Sequence, residues 1–217
     1  MTHLDFYTLA TTLPLLQGVS AEDILDMQEK GILRLVSIEP EEGDIIVQGQ
    51  YCKTLTMLMQ GSMLCTSNGD SWTLTEEIKA PAILEEEAVW SLTQRYNHTY
   101  QPLSEGKLLV IDRRHVMQTM MRNEVFRINL LTRLASRLEK YHTSRQTRSQ
   151  QDIQSKIKQF FCDISYTNSL PKHLKIKMTT LAQLLDETRL NISKTLHQMQ
   201  ANGDVALTRE QITLLKL

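Results

Sequence analysis

The chain has 217 residues, of which 24 are Lys or Arg and 25 are Asp or Glu, so its formal net charge is -1. Its apolar runs are shorter than the roughly 18–20 residues of a transmembrane helix, which argues against a membrane span. The N-terminus lacks the basic and apolar regions of a secretory signal, and three cysteines are too few for a disulfide framework. We therefore expect a cytoplasmic protein.

The near-zero net charge conceals an asymmetry between two parts of the chain. Residues 1–139 carry 12 basic and 19 acidic side chains, a net of -7. Residues 140–217 carry 12 basic and 6 acidic side chains, a net of +6. Such a difference predicts two modules, and the basic module is the one expected to meet a polyanion such as nucleic acid.

The first thirty or so residues have the apolar spacing of helices. One helix is predicted over Asp5–Leu16, followed by a turn at Gln17–Val19. A second helix is predicted over Ala21–Lys30, with Ser20 as its N-cap.

Residues 32–112 change to short β-rich runs that are separated by turns. About seven such strands at even intervals predict a sandwich, barrel or jelly roll. A hairpin turn is predicted at Asn68-Gly69. The predicted strands are Leu33–Ile38, Asp44–Val47, Thr54–Met59, Ser62–Thr66, Trp72–Leu74, Asn97–Tyr100 and Lys107–Ile111.

After Asp112 the apolar spacing becomes helical again, and no Pro or Gly interrupts residues 107–170. We predict one helix of about 25–30 residues, whose apolar stripe is too long for one small domain to cover. The simplest partner is the same helix of a second subunit; the alternative is a helix packed on its own β-domain. The predicted dimer interface comprises Val125, Ile128, Leu131, Leu134, Leu138 and Tyr141.

Residues Tyr141–Ser155 are polar and are predicted to form a hinge. An amphipathic helix over Ile157–Ile164 and a short strand over Leu174–Met178 are predicted to follow it.

Two capped helices and a hairpin are predicted at the C-terminus. Thr179 and Thr180 are predicted to cap a helix over Leu181–Leu185, and Thr188 to cap a helix over Arg189–Asn202. Gly203 then ends the second helix. The hairpin strands are Val205–Leu207 and Ile212–Leu215. This order of elements is typical of a winged helix-turn-helix.

The second of these helices carries the predicted chemistry. Arg can bond guanine bidentately and Asn can bond adenine, while Ser and Lys suit phosphates. The alternative is a solvated helix face of a protein-interaction module. The predicted DNA-binding residues are Thr179, Thr180, Thr188, Arg189, Leu190, Asn191, Ser193 and Lys194.

The order of these parts resembles the cyclic-AMP receptor protein and fumarate–nitrate reduction regulator (Crp/Fnr) family of bacterial transcription factors. The resemblance rests on Leu13–Ser20, Glu42–Gln50, Leu58–Ser62 and the C-terminal winged helix. It implies an α+β chain with a β-roll sensor domain, a long dimerisation helix and a winged helix-turn-helix. The implied boundaries are residues 1–112, 113–145 and 146–217.

The implied function is transcription regulation by a homodimer, under control of a small-molecule effector in the β-roll. The implied partners are double-stranded DNA, a second copy of the chain and RNA polymerase, and no membrane is expected. The recognition helix of well-known family members carries an Arg-Glu-x-x-x-Arg pattern, which falls on Arg189, Leu190 and Lys194. Leu190 replaces the acid, which makes the familiar operator sequence doubtful and favours contact with a thymine methyl group.

Cyclic-nucleotide binders of the family hold their ligand with a Gly-Glu pair and an Arg-Ser pair. These positions fall on Glu85-Glu86 and Tyr96-Asn97, with Arg95 one position away. A buried phosphate needs an Arg and several N–H groups, whereas the acidic run Glu85–Glu87 would repel it. We therefore do not expect cyclic-AMP binding. The effector-binding candidates are Glu86, Arg95, Tyr96, Asn97, Tyr141 and His142.

The cysteine and histidine residues also bear on other cofactors and activities. Three scattered cysteines cannot supply the four thiolates of an iron–sulfur cluster, whereas His98, His115 and His142 leave haem ligation open. Redox control through Cys52 or Cys65 is also open. The common signatures of metal, nucleotide and hydrolase sites are absent, so no enzyme and no metal site are expected. The alternatives are a binding or scaffold module with a degenerate winged helix, and a cupin-type metal enzyme.

Overall fold

The computed structural model describes the backbone of residues 3–146 and 152–216, and the side chains of residues 4–139 and 152–216. The chain divides into two compact units. Unit 1 comprises Met1–Met63 and Ile78–Arg137, and unit 2 comprises Leu64–Glu77 and Leu138–Leu217. The second unit thus combines a segment of the β-rich region with the C-terminal region, whereas the predicted domains follow chain order.

The described residues form eight α-helices and ten strands. The helices are α1 (His3–Ala10), α2 (Ala21–Glu29), α3 (Glu86–Trp90), α4 (Arg113–Gln118), α5 (Glu124–Gln146), α6 (Ile153–Ile164), α7 (Met178–Leu184) and α8 (Arg189–Ala201). The strands are β1 (Arg34–Ile38), β2 (Thr54–Gln60), β3 (Ser62–Asn68), β4 (Trp72–Lys79), β5 (Ala82–Leu84), β6 (Thr99–Pro102), β7 (Gly106–Asp112), β8 (Lys172–Ile176), β9 (Val205–Thr208) and β10 (Gln211–Leu214). None of the helices in the described ranges combines the length and the apolar character that a membrane span requires.

Unit 1 contains an antiparallel sheet with the strand order β1-β7-β2-β5. Its central strand β2 is buried along most of its length, from Leu55 to Met59. Gly61 follows at a φ of +91°, and a Cβ there would lie 2.7 Å from the carbonyl oxygen of Glu105. Only glycine therefore allows the chain after β2 to pass so close to the turn that begins β7.

The N-terminal helices differ from prediction in one respect. The second helix has the predicted cap, because Ser20 Oγ accepts the N–H of Asp23 at 3.1 Å. The first helix was predicted to reach Leu16 but ends at Ala10. The hydroxyl groups of Thr11 and Thr12 bond back to main-chain carbonyl groups, and Pro14 cannot donate a helical hydrogen bond.

The predicted and the observed strands of the β-rich region differ in two places. Asp44–Val47, predicted as a strand, forms only an isolated bridge between Ile46 and Tyr100. Gly43 and Gly49, both at positive φ, turn the chain on either side and leave too little length for a ladder. The short strand β5 was not predicted, because three residues are too few to establish an alternating pattern.

The predicted long helix after Asp112 is divided into α4, a 3-10 turn at Met120–Arg122 and α5. The division comes from Asn123, whose side-chain oxygen accepts the N–H of Phe126 at 3.0 Å and so starts a new helix. Apolar spacing alone could not locate this break. The helix α5 still has 23 residues and extends to Gln146, so the start of the predicted hinge is helical.

Unit 2 contains neighbouring strands in the order β3-β4-β8-β10-β9. The hairpin of β3 and β4 turns at the predicted Asn68-Gly69, where the N–H of Gly69 donates to the carbonyl of Trp72 at 3.0 Å. Strand β4 then pairs antiparallel with β8, from Trp72 opposite Ile176 to Glu76 opposite Lys172. The pairing of a hairpin of the β-rich region with the C-terminal sheet has no signal in the residue pattern.

The core of unit 2 lies between this sheet and helices α6, α7 and α8. Leu74 of the hairpin belongs to it, as do Ile157 and Phe161 of α6. The predicted caps at Thr179 and Thr180 are wrong, because α7 begins at Met178 with Lys177 at the N-cap position. Both threonines therefore lie within the first turn of the helix.

A buried ion pair joins the hairpin to the rest of unit 2. The carboxylate of Glu76 lies 2.6 Å from the ammonium of Lys172, and both residues are 1% exposed. Glu76 also accepts the N–H groups of Tyr166 at 2.6 Å and Thr167 at 3.1 Å, as well as the hydroxyl of Thr167. Lys172 donates to the carbonyl of Thr167 at 2.7 Å. These bonds offset the desolvation of both charges.

Removing one partner of this pair is expected to destabilise the protein strongly. Glu76→Gln leaves the Lys172 ammonium buried without its counter-charge, which costs about 3–5 kcal/mol in the free energy of unfolding. Urea unfolding measures this loss. The control is Asp26→Asn, which breaks the exposed Lys30–Asp26 pair and should cost less than about 1 kcal/mol. Equal costs for the two variants would contradict the structural role of the buried pair.

Candidate nucleic-acid interface

The N-terminal turn of α8 is fixed by a cap and by its buried face. The hydroxyl of Thr188 accepts the N–H of Asn191 at 3.2 Å, so the predicted cap is confirmed. Ile192, Leu196 and Met199 are fully buried against the core of unit 2. The opposite face of the helix therefore points to solvent in one fixed orientation.

The predicted contact residues are exposed on that opposite face. Arg189, Leu190, Asn191 and Lys194 are all exposed, and Ser193 is half-buried. The side chains of Arg189, Asn191 and Lys194 bond to no other residue among those that the structure describes. Leu190 is 78% exposed, so packing against the described residues gives no reason for an apolar side chain at this position. Within the described part of the chain, the turn thus presents three polar side chains without a partner and one exposed apolar side chain.

An ion pair with α6 stabilises the turn between α7 and α8. The ammonium of Lys156 lies 2.6 Å from the carboxylate of Glu187, and the N–H of Glu187 donates to the carbonyl of Ala182 at 2.9 Å. Asp186 takes a φ of +53°, which allows the tight reversal. Thr179 is exposed and Thr180 is half-buried on the first turn of α7.

Further basic residues of unit 2 were not predicted as part of the site. Lys175 and Lys177 are exposed on either side of the buried Ile176, and Arg209 is exposed at the turn between β9 and β10. The alternation of basic and apolar residues over Lys175–Lys177 was the signal that could have identified the first two. These side chains add to the positive charge of the unit.

The side chains of the effector-binding candidates do not converge on one common site. Arg95 is exposed and donates to the carbonyl of Gly49 at 2.6 Å. The buried Tyr96 donates its hydroxyl to the carbonyl of Thr54 at 3.1 Å. The N–H of Asn97 donates to the carboxylate of Glu85 at 2.7 Å. The side chains of Tyr141 and His142 lie outside the described residues.

The remaining candidate, Glu86, is fully buried and faces α5. Its Oε1 lies 2.9 Å from a guanidinium nitrogen of Arg133 and 3.4 Å from one of Arg137. Its Oε2 is buried and has no hydrogen-bond partner among the described residues. The neighbouring Glu87 pairs with Arg137 at 2.6 Å. Burial raises the pKa of Glu87, and the positive charge of Arg137 opposes that rise.

The buried tyrosine and cysteine near the sheet have altered acidity. Burial raises the pKa of the Tyr96 phenol, and the neighbouring Cys52 adds to the rise. Burial also raises the pKa of the Cys52 thiol, whose sulfur donates to the carbonyl of Thr54 at 3.4 Å. Cys65 is buried as well. In the part of the chain that the structure describes, no three His, Cys, Asp or Glu residues converge as metal ligands.

Comparison with known proteins identifies the fold. No protein-family model and no curated protein sequence matches the chain. A solved structure of a putative transcriptional regulator of the Crp/Fnr family from Eubacterium rectale aligns over 94% of both chains, at 18% identity and a TM-score of 0.53. The Thermus thermophilus catabolite activator protein aligns over 93% of both chains, at 17% identity and a TM-score of 0.50.

A third solved structure is the c-di-GMP responsive global regulator CLP of Xanthomonas campestris. It aligns over 91% of this chain and all of its own, at 16% identity and a TM-score of 0.52. The chain has a Crp/Fnr-like fold. It comprises a β-sandwich of the cyclic-nucleotide-binding type and helices, as the resemblance in sequence implied.

Within this Crp/Fnr-like fold, α5 has one buried and one exposed apolar face. Phe126 and Leu130 are buried in unit 1, and Asn129 donates to the carbonyl groups of Leu15 at 3.2 Å and Gln17 at 2.8 Å. The predicted interface residues lie on the other side. Ile128, Leu131 and Leu138 are exposed, Val125 and Leu134 are half-buried, and the side chain of Tyr141 is outside the described residues.

The three cysteines are expected to differ in reactivity toward Ellman's reagent. Cys162 is exposed, although partial desolvation raises the pKa of its thiol. At pH 8 it should react before unfolding, whereas Cys52 and Cys65 should react only when urea unfolds the chain, because both are buried and burial also raises the pKa of the Cys52 thiol. Cys162→Ser should abolish the reaction of the folded protein. A rapid reaction that persists in Cys162→Ser would contradict this assignment and favour a redox role for a buried thiol.

Proposed function

We propose that the chain is a transcription regulator of the Crp/Fnr type that binds DNA as a homodimer through the N-terminal turn of α8. The observation that carries the proposal is that the side chains of Arg189, Asn191 and Lys194, on a helix turn of fixed orientation, bond to no other described residue. Polar groups arranged in this way on the basic part of the chain, residues 140–217, suit a polar, negatively charged partner. The Crp/Fnr-like fold supports the same function.

The exposed groups divide into base contacts and phosphate contacts. Arg189 can bond O6 and N7 of guanine, and Asn191 can bond N6 and N7 of adenine. Leu190 can cover a thymine methyl group, which gives a reason for an exposed leucine at this position. Ser193 and Lys194 lie about one turn further along the helix. Their hydroxyl and ammonium groups suit phosphates.

Flanking basic residues extend the expected contact with the phosphate backbone. Lys175 and Lys177 lie just before α7, and Arg209 lies at the tip of the C-terminal hairpin. Neutralised phosphates release counterions, so each such contact strengthens binding in a salt-dependent way. The net charge of +6 over residues 140–217 agrees with this use.

Dimerisation is proposed from the exposed apolar face of α5. Ile128 is 55% exposed and Leu131 is 64% exposed, which leaves an apolar face on a helix whose Phe126 and Leu130 are buried in unit 1. Pairing of two such helices would cover this face. The resulting two-fold axis requires a pseudo-palindromic site with half-sites about 34–36 Å apart.

Substitutions on α8 are expected to weaken DNA binding in two distinguishable ways. Arg189→Ala should cost about 1–3 kcal/mol on the preferred site and relax the specificity at one base pair. Lys194→Ala should weaken binding on all sequences and reduce the slope of log affinity against log salt by about one. Fluorescence anisotropy with duplexes that do and do not carry the preferred site measures both effects.

The matched control for this experiment is Lys30→Ala. It also removes one positive charge, from an exposed i,i+4 ion pair with Asp26 on α2. Its affinity and salt dependence should equal those of the wild type. If Arg189→Ala and Lys194→Ala both bind like this control, α8 is not the DNA-binding element and the proposal fails.

Charge on the exposed face of α5 is expected to dissociate the dimer. The wild type should sediment at about twice the 25.0 kDa mass of one chain, whereas Leu131→Glu should sediment as a monomer, because pairing would bury two carboxylates. Leu92→Glu, at a fully exposed leucine outside α5, is the control and should remain dimeric. Monomeric wild-type protein, or a dimer unaffected by Leu131→Glu, would contradict this interface.

A further inference from the structure

Glu85 is a fully buried glutamate on which four hydrogen-bonding groups of one segment converge. Its Oε2 accepts the N–H of Asn97 at 2.7 Å, and its Oε1 accepts the N–H of His98 at 2.9 Å. The ring nitrogen Nδ1 of His98 lies 2.6 Å from Oε1, and the hydroxyl of Tyr100 donates to Oε1 at 3.1 Å. All of these residues belong to unit 1.

The backbone at Glu85 adopts a conformation that glutamate rarely takes. Its φ is +48° and its ψ is +58°, in the left-handed region that glycine occupies without steric cost. A side chain persists in such a conformation only when its surroundings compensate for the strain. The four groups around the carboxylate are the compensation that the structure provides.

These groups have the composition of an oxyanion-binding site. Two consecutive main-chain N–H groups, a ring nitrogen and a phenol hydroxyl converge on the two oxygens of one fully buried carboxylate. Fixed donors of this kind stabilise negative charge strongly, because they need no reorganisation. We propose that Asn97, His98 and Tyr100 form an oxyanion cradle that the Glu85 carboxylate occupies as a tethered anion, in place of a soluble one.

The occupied cradle also positions the next residue against α5. Glu86 follows Glu85 directly and lies 2.9 Å from Arg133 of α5. Because one Glu86 oxygen is buried without a hydrogen-bond partner among the described residues, the ion pairs with Arg133 and Arg137 satisfy the carboxylate incompletely. Glu85 therefore acts as a positioning residue, since holding its backbone fixes where the Glu86 carboxylate meets Arg133.

This inference concerns unit 1 alone and does not depend on DNA binding. It predicts that the cradle accepts a small carboxylate once the tethered one is removed. Glu85→Gly removes the side chain and suits the positive φ, so it empties the cradle with the least backbone strain. Formate then supplies the missing carboxylate, and chloride at equal ionic strength is the reference salt.

The measurement is the movement of amide resonances by NMR in the full chain. In Glu85→Gly, the N–H signals of Asn97 and His98 should shift saturably with formate and not with chloride. The Nε signal of Arg133 should return toward its wild-type position over the same range of formate concentration. A merely structural role of Glu85 would not produce this return. A rise in Tm with formate should accompany these shifts.

Three comparison proteins should show no response to formate at Asn97 and His98. They are the wild type, whose cradle is occupied, Glu85→Gln, which fills the same volume, and Glu87→Ala, which removes a neighbouring carboxylate outside the cradle. A formate response in the wild type that equals that of Glu85→Gly would overturn the proposal, as would no response in Glu85→Gly. If Glu85→Gly folds in formate but not in chloride, the cradle is supported; if it folds in neither, formate does not replace the carboxylate and the proposal fails.

Discussion

Among the described residues, Glu76, Glu85 and Glu86 have buried carboxylates, and each of them accepts hydrogen bonds from a distant segment of its own unit. In unit 2, Glu76 of the β3–β4 hairpin is held by Lys172 and by the loop before it. In unit 1, Glu85 is held by the segment from Asn97 to Tyr100, and Glu86 by Arg133 of α5. Because an unpaired buried charge is costly, each carboxylate fixes two segments relative to each other.

The secondary structure could largely be predicted where local chemistry decides it. Ser20 and Thr188 cap α2 and α8 as predicted, since a cap needs only a hydroxyl group at the right spacing. The interruption at Asn123 was missed, because an amide in an apolar helical pattern does not indicate whether it will cap a new turn. The pairing of β4 with β8 was missed for another reason, since long-range strand partners have no signature in a single sequence.

The two candidate sites differ in how far sequence could predict them. The exposed residues of α8 follow from helical spacing around the buried Ile192, so their orientation was predictable. The acidic run Glu85–Glu87 was interpreted as a charge that repels a phosphate. The structure places the first two carboxylates in the interior, on different partners, and gives the first of them an anion-binding environment. Only the tertiary structure brings His98 and Tyr100 around it.

We propose that charge has two uses in this chain, one internal in the acidic part and one directed at a partner in the basic part. In the second use, the α8 helices of a dimer contact DNA together. Selection of bound duplexes from a random library by the full chain, followed by sequencing, tests this claim most directly. We expect an enriched inverted repeat with half-site centres about 10–10.5 base pairs apart. Enrichment of a single unrepeated site, or of no sequence at all, would contradict it.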